Sequence, residues 1–97
     1  MKAIKIPQSS LKAQYEIYKN SLGGAEDPLQ FEDWLIEAKK SVELSLGIIF
    51  IDIGIDRPEN TDNIVTFVMN DIIETTDLYN YHDGDVRIAF RRFIESK

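Results

Sequence analysis

Asp52 and Asp56 are the two residues whose type and spacing come nearest to chemistry. They lie on and just after the apolar run Ile48–Ile55 (IIFIDIGI). Read as a strand, that run would point both carboxylates to one side, four residues apart. Ends of buried strands are where α/β enzymes place metal-binding and phosphoryl-accepting carboxylates, and Mg²⁺ takes hard oxygen ligands of this kind. The pair would therefore suit metal-dependent phosphoryl transfer or hydrolysis. The surrounding sequence gives that chemistry little support. No glycine-rich phosphate loop follows, and no lysine or threonine sits at a helpful offset. His82 is the only histidine, which excludes a cluster of histidine ligands, and no serine sits in a nucleophile elbow. Asp83-Gly84-Asp85 resembles a fragment of a calcium loop. Placing Gly84 at the loop glycine puts Tyr79, Tyr81 and Phe90 where carboxylates belong, so the pattern fails. No cofactor or metal motif is present, and the residues point away from an enzyme.

A second constellation suits recognition. Tyr79, Tyr81 and His82 stand among Asp77, Asp83 and Asp85. Loop tyrosines give large, stiff contact areas with a polar end, and they recur in interface hot spots. Asp33 and Glu37 belong to a further acidic group, with Glu26, Asp27 and Glu32, at the start of a helix. Such a row can mimic nucleic-acid phosphates, but Glu26, Asp27, Glu32 and Asp33 also complement the helix dipole without any partner, and only Glu37 lies beyond the first turn.

Charge distribution frames both groups. Residues 1–20 carry a net +3 and residues 86–97 another +3, while the residues between hold a net −12; the whole chain carries −6. Sign asymmetry of this kind bears on partners. The acidic balance argues against direct nucleic-acid binding, which wants a basic stripe. The basic ends are expected to fold back on the acidic middle and partly neutralise it.

The elements that must position these residues follow from composition and spacing. Ninety-seven residues, 43% hydrophobic and 29% charged, make one globular domain spanning 1–97. Cysteine is absent, which fits a reducing compartment. The first residues lack the apolar stretch of a secretory signal. The most apolar window, Leu46–Ile51, is far shorter than the roughly 20 residues of a membrane span. Together these predict a cytoplasmic protein that does not enter the membrane.

Lys2–Ile6 alternates weakly and predicts a short strand before Pro7. Leu11, Tyr15, Tyr18 and Leu22 share one helical face, capped by Ser9 or Ser10 and ended by Gly23-Gly24. Asp27, Pro28 and Gln30 read as the start of a second helix, with Phe31, Trp34, Leu35, Ala38 and Val42 on its apolar face and Gly47 as its stop. Leu29, Ile36 and Leu44 fall on the opposite face, where a second contact within the chain or a partner would cover them. Ile48–Ile55 predicts a β-strand. Asp62–Thr76 has helical spacing, although Ile64–Met69 is also rich in strand formers. Asp77–Asp85 reads as a loop, its Asp-Gly pair matching a hairpin turn. Val86, Ala89, Phe90, Phe93 and Ile94 return to helical spacing.

The expected fold is therefore α+β: three to four helices with a small sheet centred on residues 48–55. The expected function is a non-enzymatic acidic module, of inhibitor, immunity or regulatory type, that binds a basic protein. It would use Asp33, Glu37, Tyr79, Tyr81, His82, Asp83 and Asp85. The alternatives are the enzyme built on Asp52 and Asp56, and a structural subunit or homodimer joined through Leu29, Ile36 and Leu44.

Overall fold

The structure, a computed structural model, describes residues 6–56 and 61–96. Four helices follow one another: α1 (Gln8–Leu22), α2 (Phe31–Ile53), α3 (Asp62–Thr75) and α4 (Asp83–Glu95). The described residues contain no strand, which overturns the α+β expectation. The predicted strand at Lys2–Ile6 lies, except for Ile6, outside the described residues.

Residues 48–53 form the last turns of α2, which runs straight through Gly47. Two facts explain this. Val42, Leu46, Ile49 and Phe50 share one helical face and are 0–3% exposed, so burial favours the helix over the local β preference of isoleucine. A lone strand would also leave its backbone groups without ladder partners. The apolar run covers both sides of the element, which erases the periodicity that separates helix from strand. Gly47 costs only about 1 kcal/mol in a helix interior, too little to end it. Gly54 is the stop. It adopts φ +72°, its N–H donates to the Ile51 carbonyl at 3.2 Å, and the Ile55 N–H donates to the Phe50 carbonyl at 3.1 Å. Those two bonds are the Schellman closure that a left-handed glycine allows.

The start of α2 also lies later than the capping residues predict. The Tyr15 hydroxyl donates to the Leu29 carbonyl at 2.6 Å, and the Leu29 N–H donates to the Tyr18 hydroxyl at 3.0 Å. With both backbone groups of Leu29 engaged by α1, the helical ladder begins at Phe31. α1 itself closes at Gly23, φ +58°, as its sequence predicts, but it begins at Gln8 with Pro7 at the cap position, so Ser9 and Ser10 lie inside the helix and do not cap it. The Pro7 carbonyl already accepts the Ser10 and Leu11 N–H groups.

The core lies where α2, α3 and α4 meet. α3 contributes Ile64, Val65, Val68, Met69 and Ile72, so Ile64–Met69 is helix. α4 contributes Val86, Ala89, Phe90 and Phe93, while Ile94 is exposed. Phe50 meets Phe90 edge-on at 5.3 Å, and Phe67 meets Phe93 likewise at 5.4 Å. Asp83-Gly84-Asp85 is the first turn of α4 and not a hairpin. α1 packs separately, through a cluster of Tyr15, Tyr18, Phe31 and Trp34. The C-terminal basic segment does fold onto the acidic middle: Arg87 pairs with Asp52, and Arg92 holds both oxygens of Asp71 at 2.9 Å. No described helix is long and apolar enough to cross a membrane.

Candidate functional site

The residues singled out for partner binding divide between two places. Tyr81 is half-buried against the core, and its hydroxyl hydrogen-bonds the Ser41 hydroxyl at 2.7 Å. His82 immediately precedes α4, and its backbone N–H donates to the Asp85 carboxylate at 2.8 Å. Asp85 is thus an N-terminal cap, the third helical residue reaching back to the cap position. Asp83 accepts a hydrogen bond from the Ser45 hydroxyl at 3.2 Å, tying α4 to α2. These four residues have structural tasks.

Glu37 and Tyr79 are different. They are distant in sequence, yet both line one groove of about 220 Å³ where α1, α2 and the α3–α4 connection converge. Tyr18, Leu29, Trp34 and Leu78 line it too. Asp33 is exposed one helical turn before Glu37, on the same side of α2. The groove therefore combines one exposed carboxylate with three aromatic side chains, and Asp33 lies outside its lining.

Local bonds hold the walls in place. The Asp77 carboxylate accepts the backbone N–H groups of Tyr79 and Asn80 at 2.8 and 2.7 Å, and the Asn80 side-chain amide at 3.0 Å. This is an Asx-type turn, and it fixes Tyr79. The Asn80 side-chain bond, joined by the backbone donors, holds the Asp77 carboxyl below the usual carboxylate range; slight burial opposes this. The buried Gln14 accepts the Leu78 N–H at 2.8 Å and so ties α1 to the same connection.

Sequence spacing placed Trp34 and Tyr18 on core-facing stripes, which is where they start. The groove contribution of Tyr18, Trp34, Gln14 and Asp77 depends on how the α3–α4 connection folds back, and no spacing rule shows that.

The carboxylates of the enzyme alternative are not brought together as a site. Asp52 sits in the last turns of α2, paired with Arg87, and Asp56 follows the Gly54 stop. The strand end that would have presented both is absent. No group of three or more histidine or carboxylate side chains that could hold a metal occurs among the described residues. No protein-family model matches the chain, and no curated protein or solved structure matches it either.

A larger apolar feature lies on the outer face of α2. Leu44, Ile48, Ile51 and Ile55 are 47–79% exposed and line a groove of about 600 Å³ with Gly47. Ile36, on the same helix as Leu44, is exposed as well, and nothing among the described residues covers either; Leu29 precedes α2, where its backbone is held by α1.

Proposed function

We propose that the chain is a non-enzymatic protein-binding module of inhibitor, immunity or regulatory type, and that it takes a lysine or arginine side chain of a basic partner into the groove at Glu37 and Tyr79. One observation carries this reading: an exposed carboxylate and three aromatic rings line the same small groove. A cation over an aromatic face gains about 0.5–1 kcal/mol at an exposed site. A carboxylate adds charge-assisted hydrogen bonding. The net −12 of the central segment supplies the long-range field that steers a basic partner and makes association salt-sensitive.

Trp34 is the only tryptophan, so its fluorescence reports on the groove directly. Titration with an arginine-rich peptide should shift the Trp34 emission at low salt and lose the shift at high salt. Glu37→Gln and Tyr79→Ala should each weaken binding, while Asp62→Asn, on α3, should not. A response equal in all variants, or none at all, would contradict the groove assignment.

A further inference from the structure

The groove at Glu37 holds two polar side chains that cation binding does not use. Gln14 and Tyr18 stand one helical turn apart on α1, and both line it. Gln14 is only 8% exposed, although glutamine belongs mostly at the surface. In each side chain a main-chain N–H occupies the acceptor. The Leu78 N–H donates to Gln14 Oε1 at 2.8 Å, and the Leu29 N–H donates to the Tyr18 hydroxyl at 3.0 Å. A backbone N–H can face only an acceptor, so Oε1 points to Leu78 and the Nε2 donor points away from it. Nε2 meets no acceptor among the described residues, where no buried side-chain nitrogen or oxygen lacks a partner. Nε2 therefore reaches the surface of the groove that Gln14 lines. The Tyr18 O–H, its oxygen engaged by Leu29, is likewise left to donate.

The groove thus has two donors on its α1 wall and the Glu37 carboxylate on its α2 wall. We infer that Gln14 and Tyr18 read the main chain of the partner: they donate to a backbone carbonyl oxygen beside the lysine or arginine whose cation lies at Glu37. This rests on the groove taking that cation. A donor covered without an acceptor costs as much as a lost hydrogen bond, so the occupant must bring an acceptor. Lysine and arginine side chains carry donors only. The amide carbonyls flanking the basic residue are the acceptors nearest to it. A neutral carbonyl also suits the site better than a carboxylate, which Glu37 in the same groove would repel. The occupant is a basic segment within a protein chain, not a chain end or a free amine.

Trp34 fluorescence of the full chain tests this with two probes that carry the same guanidinium. Agmatine has no carbonyl; an end-blocked glycine peptide with one central arginine has several. The wild type should bind the peptide about two- to tenfold more tightly than agmatine, the increment of a neutral hydrogen bond. Gln14→Glu keeps the acceptor for Leu78 and removes the donor. It should bring that ratio to about one, even where its new charge strengthens binding of both probes. Tyr18→Phe should lower the ratio as well. In the wild type, which needs no variant to fold, the side-chain amide resonances of Gln14 should shift with the peptide and stay in place with agmatine. Equal affinity of the wild type for both probes would overturn the inference. So would a Gln14→Glu chain that keeps the wild-type ratio, or amide resonances that ignore the peptide. A peptide ending in a free arginine carboxylate that outbinds the blocked one would overturn it in favour of a chain end. Agmatine shifting the Trp34 emission of the wild type but not of Glu37→Gln would leave the cation site standing in each of these cases; silence from both probes would remove the cation site and this inference together.

Discussion

The two sides of α2 carry the same kind of residue and meet opposite fates. Val42, Leu46, Ile49 and Phe50 are 0–3% exposed against α3 and α4, while Leu44, Ile48, Ile51 and Ile55 on the far side are 47–79% exposed. Hydropathy alone does not distinguish them. What differs is the neighbour: α3 and α4 cover one stripe, and nothing among the described residues covers the other. A helix that is apolar all round belongs in a core or against a partner. Fully burying an aliphatic side chain is worth about 1.5–3 kcal/mol, and the outer side chains, 47–79% exposed, forgo most of it in the single chain.

The comparison can be broken first by shaving one side chain from each stripe. Leu46→Ala should cost about 2–5 kcal/mol in urea unfolding, because it opens a cavity in a filled core. Leu44→Ala, two residues away, should change stability by no more than about 0.5 kcal/mol. Equal losses would mean that the outer stripe is covered after all.

The two glycines on the outer side sharpen the contrast. Both have open space where a Cβ would go. Gly54 holds the left-handed conformation, so Gly54→Ala should destabilise by about 1–2 kcal/mol. Gly47 sits within regular helix, so Gly47→Ala should stabilise the single chain by about 0.5–1 kcal/mol. If both substitutions shift the urea midpoint in the same direction, the helix does not end at Gly54.

Why 48–55 misread as a strand follows from the same comparison. Where one face of a segment is polar, as in α4 with Arg87, Arg91 and Arg92 outside, spacing alone places the helix and most of its core residues. The face and the Gly23 stop of α1 were equally legible, although its start was not: the helix begins at Gln8, before the serines expected to cap it. Where both faces are apolar, spacing carries no signal, and the isoleucines and Gly47 pointed to a strand that tertiary packing overrides. The candidate binding residues divide on similar lines. Exposure of Asp33 and Glu37 on a helix start was readable from charge pattern. That Asp85 caps α4 and Tyr81 meets Ser41 was not, because both depend on where α4 begins and how it sits on α2.

The smallest expected effect lies off α2 and is set by pH. Hydrogen bonds from Asn80 and Tyr79 hold the Asp77 carboxyl below its ordinary range. A carboxylate with a depressed folded pKa contributes stability above its unfolded pKa, and that contribution fades as pH falls through the folded value. Asp77→Ala should therefore destabilise near neutral pH, and the difference from wild type should shrink in acid below the normal carboxylate range. A difference that stays constant with pH would assign the Asp77 effect to turn geometry alone.

The most direct test of the contrast between the two stripes is a pair of charge substitutions read by urea unfolding. Leu46→Glu should unfold the chain, because it puts an unpaired carboxylate into a core position that is 1% exposed. Ile51→Glu should leave the midpoint and the circular dichroism spectrum near those of the wild type, because that side chain is 79% exposed. A comparable loss in both would contradict the account, since the outer stripe would then be covered.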